Sequence, residues 1–184
     1  CVDNEGYMNT GMQRSGCTPY GAWTSTTPVG ERAHGKTQDA KNLPLLMVMH
    51  DCEYVATAST AFMEDLYDKL DRAIQAAKTG FAYLHIYSPC TTGWRFPSDQ
   101  NIEVARKAVE TNFVLLWEFN PRDGLHLTRP AEDARPIAEY LEMLGKYRHL
   151  DPDQVAHIER SLATNLARIQ GFAAAKPHSP AVSA

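Results

Sequence analysis

At 184 residues, 43% hydrophobic and 22% charged, the chain can bury a core of its own, which excludes wholesale disorder. Its net charge of −4, with no long basic run, excludes nucleic acid as an expected partner. No apolar run reaches membrane-spanning length and no charged-then-apolar leader opens the sequence, so no membrane is expected and the expected setting is cytoplasmic.

Cys1–Asp3 reads as the end of a buried strand. Behind it comes Asp3-Asn4-Glu5-Gly6-Tyr7-Met8-Asn9-Thr10-Gly11-Met12-Gln13-Arg14-Ser15, a loop too polar for core and too specific for a linker. Beyond a strand end it offers the side-chain oxygen of Asn4 and, two residues on, the carbonyl of Gly6. These are hard oxygens of the kind Mg²⁺ takes beside phosphates and water. The alternative is an Asn turn satisfied by its own backbone. Residues 18–43, rich in Pro, Gly, Ser and Thr, read as a long ordered loop, a class that is usually functional.

Asn42 is placed to cap a short apolar helix around Pro44–His50, and Glu53–Thr57 reads as a buried strand. From Ser59 an amphipathic helix is predicted. Its stripe is Phe62, Leu66, Leu70, Ile74 and Ala77, with Glu64 and Asp65 in the first turn and Lys78 and Gly80 at the end. Phe81–Tyr87 reads as a parallel strand covered on both faces, ended by Ser88-Pro89. Strand, helix, strand in this order is a βαβ unit, with functional loops expected beyond the strand C-termini, where Cys90 falls.

A helix over Gln100–Thr111 turns Ile102, Ala105, Ala108 and Val109 to one side. Phe113–Phe119 and Leu125–Thr128 flank Asn120-Pro121-Arg122-Asp123-Gly124 as a β-hairpin. Ile137, Tyr140, Leu141 and Leu144 mark another helix. Asp151-Pro152 opens a long one striped by Val155, Ile158, Leu162, Leu166 and Ile169, and from Ala173 the Ala/Pro/Ser composition suggests a frayed tail. The expected fold class is α/β, a mostly parallel sheet flanked by helices with a C-terminal hairpin and helices. The segments are 1–112, then a hairpin and helix at 113–150 suited to contact another subunit, an added helix at 151–172, and a flexible tail at 173–184.

Cys1, Cys17, Cys52 and Cys90 lie far apart without a Cys-x-x-Cys pair, which suits neither a disulfide framework nor a complete iron–sulfur site. Cys90 follows a Pro at a strand end and precedes Thr-Thr-Gly. That setting suits a cluster loop, against the alternative of a buried free Cys. The histidines show no metal-ligand spacing, and His85 reads as a satisfied core histidine. Trp23, Trp94 and Trp117 suit core or subunit packing, while Trp94-Arg95-Phe96-Pro97 could instead touch the cluster loop.

Several motifs in order resemble one family. Asp3-Asn4-Glu5-x-Tyr7-Met8-Asn9-Thr10-Gly11-x-Gln13-Arg14-Ser15 continues through Thr18-Pro19-Tyr20-Gly21-Ala22 and Tyr54-Val55-Ala56-Thr57-Ala58-Ser59. Ser88-Pro89-Cys90-x-Thr92-Gly93-Trp94-Arg95-Phe96-Pro97, Ala108-Val109-Glu110-Thr111 and Arg148-His149-Leu150 follow. Together, over roughly residues 1–150, they resemble the thiamine-diphosphate-binding β subunit of the 2-oxoacid:ferredoxin oxidoreductases, typified by pyruvate:ferredoxin oxidoreductase (pyruvate synthase).

The resemblance implies the C-terminal part of a thiamine-diphosphate-binding module. Asn4 and the Gly6 carbonyl would be Mg²⁺ ligands that hold the diphosphate. Asn9, with Thr10 beside it in the cofactor loop, would aim its amide at substrate or at developing negative charge. Cys90 would be the fourth ligand of a [4Fe–4S] cluster, leaving Cys1, Cys17 and Cys52 structural. The Glu that activates thiamine belongs in this family to the partner α subunit, so Glu5 is expected only to ion-pair within its loop. The family's Gly-Asp-Gly and Cys-x-x-Cys motifs lie upstream of the resembling segment, so the sequence is expected to be the C-terminal portion of a longer subunit.

The implied reaction is CoA-dependent oxidative decarboxylation of pyruvate to acetyl-CoA and CO₂, with electrons passed through iron–sulfur clusters to ferredoxin or flavodoxin. The implied partners are the α, γ and δ subunits or equivalent domains. The alternatives are a thiamine-dependent decarboxylase or carboligase without clusters, a non-catalytic assembly protein, and an oxidoreductase for a branched-chain, aromatic or oxalate-like 2-oxoacid. The substrate pocket draws on the partner subunit, so this chain does not choose among substrates.

Overall fold

A computed structural model describes residues 1–175. Its strands are β1 (Val2–Asp3), β2 (Gly6–Tyr7), β3 (Gln13–Arg14), β4 (Val29–Gly30), β5 (Ala33–His34), β6 (Tyr54–Ser59), β7 (Ala82–Tyr87), β8 (Trp117–Asn120) and β9 (Gly124–Leu127). Its helices are α1 (Leu43–Val48), α2 (Met63–Ala76), α3 (Thr91–Trp94), α4 (Asn101–Glu110), α5 (Ala138–Leu141) and α6 (Pro152–Ala174).

One five-stranded sheet, ordered β1-β7-β6-β8-β9, organises the chain. Every residue of β6 is buried, which is why Tyr-Val-Ala-Thr-Ala-Ser shows no alternation. β6 and β7 pair in parallel from Tyr54–Ala82 to Ser59–Tyr87, and β1 joins β7 in parallel with Asp3 opposite Tyr87. Asp3, Tyr87 and Ser59 therefore end three parallel strands in one row. The loops after β1 and β7 leave the sheet side by side, the edge at which open α/β sheets carry their sites. The predicted hairpin forms as β8–β9 and continues the same sheet, since β8 pairs antiparallel with β6.

The expected caps are present. Asn42 Oδ1 accepts from Leu45 N at 3.1 Å, and Asp151 with Gln154 closes a capping box on α6. Trp94, Val104, Ala105, Tyr140, Leu144 and Ile158 centre one apolar cluster. Val55, Leu115, Trp117, Leu125 and Ile169 centre a second. The long loop of 18–43 carries the two-residue pairing of β4 with β5. Helix α6 runs through Ala174, past the point where fraying is expected, and the remainder of that tail, 176–184, lies outside the described residues.

Two expected burial patterns are corrected. In α2 the buried positions are Lys69 and Ala73, while Leu70 and Ile74 are 41% and 51% exposed. The cause is polar. Lys69 Nζ donates to the Thr57 carbonyl at 2.9 Å, to Asp65 Oδ2 at 2.6 Å and to Thr128 Oγ1 at 2.7 Å, which turns the Lys69 and Ala73 side of the helix onto the sheet. In α4, Ile102 is exposed and Val104 takes the buried place. Among the described residues no helix is long and apolar enough to cross a membrane.

Candidate cofactor site

The loop after β1 is a small folded unit. Asn4 Oδ1 accepts from Gly6 N at 3.3 Å, an Asx turn of the kind an Asn two residues before a Gly favours. β2 and β3 then pair Gly6 with Arg14 and Tyr7 with Gln13, leaving Asn9 and Thr10 exposed in the connection between them. Thr10 Oγ1 donates to Gln13 Oε1 at 3.1 Å and Gln13 Nε2 donates to the Thr10 carbonyl at 3.0 Å. Thr10 and Gln13 thus hold the loop shape, and Arg14 reaches Gln38 Oε1 at 3.1 Å.

The loop after β7 meets it. Cys90 is the N-cap of α3, its Sγ accepting from Gly93 N at 3.3 Å. Trp94 is fully buried, and its Nε1 donates to the Asn4 carbonyl at 2.8 Å. Gly93 allows the close approach. A Cβ there would lie 2.3 Å from Met8 Sδ and 3.3 Å from Cys90 Sγ, and a Cβ on Gly6 would lie 3.2 Å from Met8 Cε and 3.4 Å from the Trp94 ring. Met8 and Trp94 therefore fill the space between the Asn4–Gly6 turn and the Cys90 turn.

Charge beneath the loop is buried. Glu5 is 4% exposed and pairs with Lys146, which is fully buried; the partner lies outside the loop, not within it as expected. Burial raises the Glu5 pKa and lowers that of Lys146, each shift partly opposed by the partner's charge. Asp3 accepts from Glu5 N at 2.7 Å and lies 2.9 Å from His85 Nε2. Burial opposes its ionisation, but the His85 and Glu5 hydrogen bonds outweigh it and hold the carboxyl below its ordinary range. His85 is thus the satisfied histidine expected of that strand. Burial, with Asp3 and Glu5 nearby, pushes the Cys17 thiol up to about 11, in keeping with a structural role.

Asn4 and Gly6 present two hard oxygens two residues apart, donor chemistry that fits Mg²⁺. They are a partial set. Among the described residues there is no group of three or more His, Cys, Asp or Glu side chains that could hold a metal ion, so further ligands would have to come from elsewhere. Cys90 likewise offers one sulfur, with a backbone N–H already aimed at it, a contact that suits a cluster ligand. A cleft of about 330 Å³ lies between the sheet and α6, lined by Asp3, Glu5, Thr57, His85 and Arg168 among others, but not by Asn4, Gly6, Asn9, Thr10 or Cys90.

Residues 1–86 match the family model of the thiamine pyrophosphate enzyme C-terminal TPP-binding domain. Over most of its own length the chain is homologous to the β subunits of the 2-oxoacid oxidoreductases. It is 73% identical, over 89% of its length, to the NADH-dependent phenylglyoxylate dehydrogenase subunit beta of Aromatoleum evansii. It is 44% identical over 86% to the pyruvate synthase subunit PorB of Methanothermobacter thermautotrophicus, and 36% identical over 93% to the ketoisovalerate oxidoreductase subunit VorB of Pyrococcus furiosus. It spans 37%, 54% and 55% of those relatives' own lengths. The mixed sheet flanked by helices and the thiamine-domain match agree with the fold expected from sequence.

Sequence reasoning leaves Trp94 open and misses Lys146. The context of Trp94 fits core, subunit contact and cluster loop alike, and the structure buries it against both loops. Lys146 carried no signal, because a lysine in Gly-Lys-Tyr looks solvated until its partner 141 residues away is placed.

Proposed function

We propose that the chain is the cofactor-gripping part of a β subunit that works in CoA-dependent oxidative decarboxylation of a 2-oxoacid, within an assembly of α, γ and δ subunits or their equivalents. The observation that carries this reading is the packing of the Asn4–Gly6 turn against the Cys90 turn through Met8 and Trp94. It brings the Asn4 and Gly6 oxygens next to the Cys90 sulfur at one sheet edge, which supports reading them as a cation and diphosphate grip beside a cluster ligand.

In this reading Asn4 Oδ1 and the Gly6 carbonyl hold Mg²⁺, and Thr10 keeps the loop shaped around the diphosphate. Thiamine diphosphate, when bound, supplies the carbanion-stabilising chemistry of the decarboxylation. Asn9 orients its amide N–H towards the oxygen on which negative charge develops. Cys90 would give one thiolate to a [4Fe–4S] cluster, which would supply one-electron transfer towards ferredoxin or flavodoxin. Trp94 and Met8 keep water out of the seam between the two turns.

The substrate is proposed as an aromatic 2-oxoacid of the phenylglyoxylate type rather than pyruvate. The 73% identity to the Aromatoleum evansii phenylglyoxylate dehydrogenase subunit, against 44% to a pyruvate synthase subunit, supports that choice. The test is turnover of the assembled enzyme on phenylglyoxylate, pyruvate and 2-oxoisovalerate with CoA, in wild type and Cys90→Ala. Phenylglyoxylate should give the highest kcat/KM, and Cys90→Ala should lose both turnover and part of the iron. A preference for pyruvate would return the substrate to the first expectation, and full iron in Cys90→Ala would remove the ligand role.

A further inference from the structure

Between the two proposed cation ligands stands Glu5, held on every side. It has a left-handed φ of 68°, a strained conformation that in a non-glycine residue persists only when its surroundings enforce it. Its N–H donates to Asp3, its carbonyl accepts from Thr18 Oγ1, and its carboxylate accepts from Lys146 Nζ.

Lys146 sits in the tight turn Gly145–Tyr147. Its amine lies 4.1 Å from the centre of the Trp94 ring, and that indole donates to the Asn4 carbonyl. Gly145 brings the turn onto α3: a Cβ there would lie 2.6 Å from Arg95 Cβ and 3.3 Å from the Trp94 carbonyl oxygen. Lys146 thus touches both anchors of the loop, the carboxylate of residue 5 and the indole that pins residue 4.

A fully buried ion pair is poor value as a stabiliser alone, since apolar side chains of similar volume commonly do as well or better. What this pair does is geometric. We propose that Lys146 is a positioning residue for the cofactor grip: through Glu5 and Trp94 it aims the Asn4 side-chain oxygen and the Gly6 carbonyl at one divalent cation. The inference rests on the reading of Asn4 and Gly6 given above. It adds a residue beyond the 1–86 family match.

The test is thiamine diphosphate binding to the assembled, full-length enzyme, titrated at fixed and at varied Mg²⁺ through tryptophan fluorescence, with unfolding temperature measured on the same samples. Lys146→Met alone strands the Glu5 carboxylate and risks the fold. The deciding variant is therefore Glu5→Gln with Lys146→Met, which removes both buried charges. The half-saturating cofactor concentration should rise about 10- to 100-fold, the range seen when residues that orient a metal's ligands are lost. More Mg²⁺ should be needed to reach saturation, a dependence that a purely structural role would not move. Affinity within about twofold of wild type, far short of that range, would overturn the proposal. Asn4→Ala separates the two readings. If it alone loses affinity, the grip stands and Lys146 is not its positioner; if it too binds as wild type, the grip itself is wrong.

Discussion

The indole N–H of Trp94 donates to the backbone carbonyl of Asn4 at 2.8 Å, across 90 residues of chain. This bond joins the turn after β1 to the turn after β7, and the two turns carry different chemistry. One offers hard oxygens, the other a cysteine sulfur. Their proximity follows from register: Asp3 and Tyr87 are paired in parallel, so both turns begin from the same row of the sheet.

Trp94→Phe keeps an aromatic ring in that place and removes the donor. The Asn4 carbonyl loses its partner in a half-buried position, and a smaller ring leaves space in the core. The expected cost is about 1–3 kcal/mol in denaturant unfolding. Weaker retention of thiamine diphosphate should accompany it. A stability loss with unchanged cofactor affinity would show that the bond supports the fold and not the grip.

Gly93 is where the seam is tightest. Gly93→Ala would place a methyl 2.3 Å from Met8 Sδ, and Met8 is flexible enough to swing away. The fold should survive, with a cost of about 1–3 kcal/mol for overpacking. Met8 leaves the seam, so water enters between the turns. Thiamine diphosphate binding should then fall more than unfolding temperature does, and Met8→Ala alone should lower it in the same way, because it empties the same seam.

The local elements were largely legible in the sequence because their signals are local. Asn42 before Leu-Pro, Asp151-Pro152 with Gln154, and the apolar run to Tyr87 each specify their element through neighbouring residues. The β1 loop was legible for the same reason. Trp94 and Lys146 were not, because their partners Asn4 and Glu5 are remote in sequence. The stripe of α2 misled for a physical reason: hydrophobic periodicity counts Leu70 and Ile74 as core and cannot foresee that Lys69 will be buried with three oxygen partners.

Lys69 accordingly carries a prediction of its own. Lys69→Ala leaves the Thr57 carbonyl and the Thr128 hydroxyl short of a donor and Asp65 without its cation. The expected cost is about 3–5 kcal/mol, that of breaking a buried pair from one side. Ile74→Ala, on the exposed flank, should cost under about 0.5 kcal/mol in the isolated chain. Urea unfolding of the two variants decides it, and the reverse ranking would mean that α2 is rolled the other way.

Acid should loosen the β8 side of the sheet. Glu118 is buried and accepts from Arg72 Nη1 at 2.6 and 2.7 Å and from Tyr54 OH, with His126 Nε2 at 2.8 Å. Burial works against its charge, but the Arg72 and Tyr54 hydrogen bonds and the nearby positive charge win, so its pKa lies below the ordinary 4.5. A carboxylate whose pKa is lower folded than unfolded contributes stability that is complete above the unfolded value and lost as pH falls through the folded one. The urea midpoint should therefore decline below pH 4.5. Asp3, also lowered, adds to the same limb. Glu118→Gln should start from a lower midpoint at neutral pH and decline less steeply in acid, with the residual slope left to Asp3 and to Glu139, which its Lys107 and Arg135 hydrogen bonds also lower. An acid limb of unchanged steepness in Glu118→Gln would place the titration elsewhere.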